Sequence, residues 1–150
     1  MTRQKIVLGF DGSDGSNAAL AEAIELAGSL DCDLAIVHVI DWSPYEFRTS
    51  QENEIQARVK QEQIRSDREA LFPAALEQAT AAGVSAEARV RYGHPAGLLA
   101  EIARTENARC IVIGKRGKSR LRRMVVGGVA SAVVQEASCP VLVVPMPKPS

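Results

Sequence analysis

The stretch Ile6-Val-Leu-Gly-Phe-Asp-Gly-Ser13 decides the fold. An unbroken apolar run that stops at a turn rich in glycine and aspartate is typical of a strand buried on both faces of a parallel sheet. After this turn, apolar side chains recur at the spacing of one helix face: Leu20, Ala23, Ile24, Ala27 and Leu30. A buried strand, a turn and an amphipathic helix in this order predict the first unit of an α/β fold.

Four further segments have the composition of strands. They are Leu34–Val39, Val84–Tyr92, Cys110–Ile113 and Pro140–Val144. The third is uniformly apolar, which predicts burial on both faces, whereas strict alternation in the second predicts one exposed face. Strands that alternate with helices predict a parallel sheet with right-handed crossovers. We therefore expect one Rossmann-like, doubly wound domain over residues 1–150, with strand order 3-2-1-4-5 and helices on both faces.

Helical segments are predicted between these strands. The segment Arg48–Glu69 is polar and weakly amphipathic, and Pro73 beyond it removes a helical donor, so we expect a kink or a restart there. Gly83 is predicted to lie just past the end of this helix. Two more helices are expected over 96–104, with Pro95 at the first position, and from about 128 to 137. The proline-rich tail, residues 145–150, is expected to be loose.

The composition is that of a soluble globular domain. Of the 150 residues, 46% are apolar and 24% are charged, and 18 basic residues balance 18 acidic ones. Zero net charge argues against a generally basic nucleic-acid binder, and no apolar run is long enough to span a membrane. Three scattered cysteines without a CxxC pair predict buried side chains rather than a zinc site. We expect a cytoplasmic protein.

Positive charge is nevertheless concentrated in one segment. Between Lys115 and Arg123, six of nine residues are basic and none is acidic. Glycines nearby let main-chain N–H groups approach phosphate oxygens, and Gly127-Gly128 opens a helix whose N-terminus attracts anions. The alternative is a solvated basic loop whose glycines serve only to turn the chain. Nucleic acid is an improbable ligand, since aromatic residues for base stacking are absent from this segment.

Catalytic residues are not predicted. Paired carboxylates near the basic segment are missing, and Ser13 has no readable triad, so the sequence lacks the signature of a dedicated hydrolase. His38 is predicted to be a packed strand residue and His94 a turn or cap residue, rather than a catalyst or a general base.

One spacing is specific. Gly114-Lys-Arg-Gly117, nine further residues and then Gly127-Gly128 form the pattern G-x2-G-x9-G. Four other segments accompany it in order: Ile6–Ser13, His38–Asp41, Gly93–Pro95 and Ser138–Val144. On these motifs the chain resembles the nucleotide-binding branch of the universal stress protein family over nearly its whole length.

The resemblance implies that ATP or another adenine nucleotide, with Mg²⁺ or Mn²⁺, binds between the first and fourth strands. It implies that Gly9 lies against the nucleoside, that Asp11 accepts hydrogen bonds from adenine or ribose, and that Val39 offers main-chain contacts to adenine. For Asp11, capping of the following turn is an alternative role compatible with this one. The remaining implied contacts to ribose and phosphates are Gly114, Lys115, Arg116, Gly117, Lys118, Ser119, Arg120, Gly127, Gly128 and Val129.

The resemblance also implies a regulatory stress-response protein, with an enzyme that hydrolyses ATP or transfers adenylyl groups as the alternative. The family usually carries Ser or Thr where Gly128 stands, and often a hydroxyl residue at Ala130. Their absence predicts weaker phosphate binding, by about 1.5–3 kcal/mol for a lost charge-assisted bond. Finally, Val141–Val144 is an apolar edge strand, and such edges pair with other chains unless neighbouring elements cover them. The resemblance implies homodimers through this strand.

Overall fold

The computed structural model describes residues 3–41, 50–115 and 128–146. These residues contain the strands β1 (Lys5–Gly9), β2 (Asp33–Asp41), β3 (Ala86–Gly93), β4 (Cys110–Gly114) and β5 (Val141–Val144). The strands pair in parallel in the order β3-β2-β1-β4-β5, so the predicted doubly wound α/β sheet is confirmed.

Helices cover both faces of this sheet. They are α1 (Asp14–Leu30), α2 (Ser50–Ala81), α3 (Pro95–Thr105) and α4 (Gly128–Glu136). Ile6 and Leu8 of β1 pack with α1 and α2 on one face, while Val7 between them packs with α3 and α4 on the other. This two-sided burial explains why β1 is apolar at successive positions instead of alternating.

At Pro73 a kink or a restart of the helix α2 was expected, and the restart is wrong. The chain runs through Pro73 as one helix of 32 residues and does not restart there. Buried side chains on either side of the proline, Phe72 and Ala75, hold both halves against the same core, so tertiary packing offsets the missing donor.

The end of α2 is as predicted. Gly83 is left-handed with φ +75°, and its N–H donates to the carbonyl of Thr80 at 3.0 Å. The N–H of Val84 donates to the carbonyl of Ala79 at 2.9 Å, which completes a Schellman motif. The helices α1 and α3 end in the same way, with Asp31 (φ 56°) and Asn107 (φ 51°) in the left-handed position.

The polar face of β3 also differs from the expectation of simple solvent exposure. The guanidinium of Arg89 is only 17% exposed and donates to the carboxylates of Glu87 and Glu106. Lys5 at the start of β1 donates to the same two carboxylates, at 3.1 and 3.0 Å. The hydrogen bond from Arg89 lowers the pKa of Glu106 to about 2, with a smaller contribution from Lys5. These four residues form an ion cluster near the amino ends of the strands.

Candidate functional site

The strands β1 and β4 are neighbours in the sheet, and the connections that follow them lead to opposite faces. After β1 it enters α1 on one face, and after β4 it reaches α4 on the other. Leu8 pairs with Val112, so the carboxyl ends of the two strands lie side by side. Diverging connections at such a switch point leave a crevice outside the strand ends, where ligands bind in open α/β sheets.

Gly9, the last residue of β1, has a packing reason to be glycine. A Cβ built on it would lie 3.0 Å from Cδ1 of Leu99 and 3.5 Å from Cδ1 of Ile113. The strand end is therefore pressed between α3 and β4, and the missing side chain brings the main chain close to both.

The turn after β1 is formed by hydrogen bonds between residues that are close in sequence. Oδ1 of Asp11 accepts from the N–H of Ser13 at 2.9 Å, which is an Asx turn. Ser13 is the N-cap of α1, since its Oγ accepts from the N–H of Ser16 at 3.2 Å. Gly12 between them is left-handed with φ +79°. Asp11 therefore shapes the turn that precedes the helix cap, and the cap itself is Ser13.

His38 of β2 makes hydrogen-bonding contacts with both this turn and α2. Its Nδ1 lies 3.0 Å from the carbonyl oxygen of Phe10, and its Nε2 lies 3.0 Å from Oδ2 of Asp67 on α2. The residue is 8% exposed, so the prediction of a packed strand histidine is confirmed. Its two hydrogen-bond partners were not predicted, because Asp67 lies in a polar helix that gives no sign of which residue faces the sheet. The next residue, Val39, is half-buried and packs on the α3 side of the sheet.

The end of β4 lies on the other side of the crevice, and the next described element is α4. Gly114 is buried and pairs with Val144, and the N–H of Lys115 donates to the carbonyl of Val144 at 2.7 Å. Gly128 begins α4 and is exposed, and no atom of the other described elements lies within 4 Å of a Cβ built on it. Val129 after it is also exposed. The predicted contacts at Arg116, Gly117, Lys118, Ser119, Arg120 and Gly127 lie outside the described residues.

Two further sequence predictions concern neighbouring positions. Ala130 is buried in the core between α4 and the sheet, so a hydroxyl at this position would face apolar side chains. His94 is the N-cap residue of α3 and Pro95 is the first helical position, as predicted, although the His94 side chain makes no capping bond.

Metal-binding and membrane-spanning features were searched in the same ranges. Across 3–41, 50–115 and 128–146, no three His, Cys, Asp or Glu side chains converge as metal ligands do. None of the helices in these ranges is both long enough and apolar enough to cross a bilayer.

Comparison with known proteins identifies the family. The universal stress protein family model matches residues 2–145. The chain belongs to the universal stress protein family. A universal stress protein of Methanocaldococcus jannaschii is 33% identical over 145 residues, which are 97% of this chain and 84% of that protein.

Solved structures agree with this assignment. The universal stress protein UspA of Lactobacillus plantarum has a TM-score of 0.81 at 22% identity, over 96% of this chain and 99% of that one, which shows the shared fold. A universal stress protein solved in complex with cAMP has a TM-score of 0.63 at 27% identity, over 96% and 98% of the two chains. The chain is thus a general stress protein with the sheet order and helix placement described above.

Proposed function

We propose that this universal stress protein is a cytoplasmic regulator that binds an adenine nucleotide, ATP in the first place, in the crevice between β1 and β4. The observation that carries the proposal is the parallel pairing of β1 with β4, which sets the glycine end of β1 beside the Gly114-Lys115 end of β4 at the switch point. The N-terminus of α4, the next described element, is the third part of the proposed site. The relative solved with cAMP, an adenine nucleotide, supports the same ligand class.

The chemistry of these elements suits a phosphorylated nucleoside. Main-chain N–H groups at the start of α4 and the ammonium of Lys115 favour anionic oxygens. The carboxylate of Asp11 is an acceptor suited to ribose hydroxyls or the adenine amino group. In this proposal Mg²⁺ or Mn²⁺ binds together with the phosphates, as Mg²⁺ commonly does.

Calorimetry with protein stripped of carried-over nucleotide tests the proposal directly. We expect saturable binding of ATP and AMP, and absence of heat at millimolar nucleotide would refute it. Mass spectrometry of natively purified protein adds the identity of any nucleotide that co-purifies. Turnover assays with ATP and Mg²⁺ on the same preparation separate a regulator from the alternative, an ATP-hydrolysing or adenylyl-transferring enzyme.

Asp11→Asn probes the nucleoside half of the site. Asparagine keeps the oxygen that accepts from Ser13, so the turn is retained while the negative charge is lost. We expect affinity to fall about 5-fold, the difference of about 1 kcal/mol between a charged and a neutral hydrogen bond. Asp14→Asn is the matched control, because Asp14 is exposed in the first turn of α1. Equal effects of the two variants would remove Asp11 from the site.

Gly128→Ser probes the phosphate half. A Cβ at this position meets open space, so serine fits and restores the hydroxyl usual in the family. We expect nucleotide to bind about 10-fold more tightly, since a hydrogen bond to a charged group contributes about 1.5–3 kcal/mol. Gly128→Ala adds the Cβ without the hydroxyl and should leave affinity unchanged. A gain in both variants would mean that helix propensity, not the hydroxyl, was responsible.

We also propose that the protein is a homodimer joined through β5. This strand is a sheet edge, and its side chain Leu142 is 40% exposed. Leu142→Glu should convert the dimer to a monomer in sedimentation at micromolar concentration, because charges on an edge oppose pairing. Leu30→Glu is matched in exposed fraction, at 40%, and lies at the end of α1. A monomeric unmodified protein, or dissociation by both variants, would refute the β5 interface.

A further inference from the structure

We propose that the His38–Asp67 pair positions the turn at Phe10–Gly12 and makes nucleotide affinity depend on a proton held between the two side chains. The inference rests on the proposed function, since Asp11 of that turn is the predicted nucleoside contact. His38 acts here as a positioning residue and does not touch the ligand.

The hydrogen bonds around His38 require a specific number of protons. The carbonyl of Phe10 can only accept, so Nδ1 must carry hydrogen for the 3.0 Å contact to be a bond. On the other side, Nε2 lies 3.0 Å from Oδ2 of Asp67, and this contact is attractive only with a proton between the two atoms. Neutral imidazole beside an ionised carboxylate has one proton too few for both bonds. Hydrogen bonds at both contacts therefore require the pair to hold one additional proton.

Two contacts connect α2 to the turn, and His38 makes the polar one. The carbonyl of Phe10 is anchored through His38 to Asp67, whose Oδ1 also accepts from Nε2 of Gln63 at 2.7 Å. The apolar contact is made by Leu71, because a Cβ on Gly12 would lie 2.6 Å from its Cδ2. The turn that carries Asp11 is thus held between β2 and α2, one residue away from the anchored carbonyl.

Loss of the additional proton removes one of the two bonds. If the remaining hydrogen stays on Nδ1, the Asp67 bond is lost, and if it moves to Nε2, the Phe10 bond is lost. Either outcome loosens the turn from α2. Histidine is the side chain that most readily exchanges a proton near neutral pH, so affinity is compared between about pH 5 and 8. Within the described residues, the other charged or titratable groups near this pair are Lys60, Arg68, Tyr92 and Asp11.

Two of these neighbouring groups, Lys60 and Arg68, make contacts of their own. Lys60 lies over the ring of Tyr92, and Arg68 donates to the carbonyl of Ala88 at 3.2 Å. Burial raises the pKa of Tyr92, and the carboxylate of Asp67 raises it further, so the phenol stays neutral. A change in affinity between about pH 5 and 8 that depends on residue 67 therefore reports on the pair itself.

The decisive variant is Asp67→Asn. An amide can donate to an unprotonated Nε2 while Nδ1–H still donates to Phe10, so both bonds form with neutral histidine. We expect the affinity of unmodified protein for AMP to fall at least about 5-fold between pH 6 and 8, the low end of coupling between sites. In Asp67→Asn this fall should disappear. The ratio of the two dissociation constants at each pH cancels the titration of the AMP phosphate.

Glu69→Gln is the matched control, because it removes one carboxylate from an exposed position of the same helix. It should retain the pH dependence of the unmodified protein. Equal slopes in unmodified protein and Asp67→Asn would overturn the proposal, as would a flat profile in Glu69→Gln.

Nitrogen-15 NMR of the imidazole rings tests the proton count without nucleotide. The chain has only two histidines, His38 and His94, so the signals are readily assigned. Both ring nitrogens of His38 should be protonated at pH 6, with the second proton lost as pH rises. A single protonated nitrogen at pH 6 would overturn the inference. If AMP fails to bind at any pH while the NMR titration is as expected, the proposed function fails, and with it the coupling, although the proton-dependent bridge stands.

Discussion

At the amino ends of the strands, charged side chains are paired with one another, whereas at the carboxyl ends glycine and main-chain groups prevail. Lys5, Glu87, Arg89 and Glu106 satisfy each other in the ion cluster. At the opposite end, Gly9 and Gly114 close the two strands that flank the switch point. Charges paired within the protein stabilise the fold, while main chain without side chains leaves room for a ligand. The sheet thus has stabilising ion pairs at one end and the candidate binding site at the other.

Left-handed glycines occur at both ends and allow a direct test of this difference. Gly12→Ala at the carboxyl end should lower the free energy of unfolding by about 2–3 kcal/mol. Of this, left-handed alanine accounts for about 1–2 kcal/mol and displacement of Leu71 for the rest. Denaturant unfolding measures the change, and AMP affinity should fall with it because the turn moves.

Gly83→Ala is the matched variant at the amino end. Its φ of +75° is close to the +79° of Gly12, but a Cβ there meets no atom within 4 Å. The expected loss is therefore the backbone cost alone, about 1–2 kcal/mol. A loss equal to that of Gly12→Ala would mean that Leu71 yields without cost.

Removing one carboxylate tests the ion cluster. The depressed pKa of Glu106, about 2, means that its contribution is complete above its ordinary value of 4.5 and is lost as pH falls towards 2. Glu106→Gln should lower the free energy of unfolding at pH 7 by about 1–2 kcal/mol, a value reduced for screening because the cluster touches solvent. The difference from unmodified protein should shrink between pH 4.5 and 2.

Glu101→Gln, at an exposed position of the same helix, serves as the control for Glu106. It should change stability by less than about 0.5 kcal/mol at either pH. An acid-dependent loss of the same size in both variants would indicate a general charge effect rather than the cluster.

The smallest expected effect lies at the end of α3. Asn107 is left-handed at φ 51° in the position that glycine occupies after α2. Asn107→Gly should raise the free energy of unfolding by about 0.5 kcal/mol, since relief of the backbone exceeds the added entropy of the unfolded chain. Asn17→Gly in the right-handed interior of α1 should instead lower it. The melting temperatures of the two variants should move in opposite directions.

The sequence predicted the sheet because its signals are local. The apolar run at Ile6–Leu8, the turn after it and the cap at Gly83 each depend on neighbouring residues, and all were found where expected. The ion cluster and the His38–Asp67 pair were not predicted, since each joins residues from distant elements and no local pattern marks the partners. The restart expected at Pro73 is wrong because local propensity yielded to the packing of Phe72 and Ala75.

Only the parts of the candidate site that contain sequence motifs were predicted. Glycine spacing indicated the ends of β1 and β4, and the structure brings those ends together. Spacing carries no information on what holds the turn in place, which here depends on Leu71 and His38. The contacts assigned to Arg116–Arg120 and Gly127 rest on the family resemblance and stay predictions.

The strand order also governs the sequence of events during synthesis. β1 leaves the ribosome first and can pair with β2 soon afterwards, but its other neighbour begins at Cys110, about 100 residues later. Until β4 is synthesised, one edge of β1 has no strand to pair with. Long-range parallel pairing of this kind slows folding and leaves hydrogen-bonding groups exposed to other nascent chains. The arrival of β4 thus completes the centre of the sheet and joins the two strand ends of the candidate site in one step.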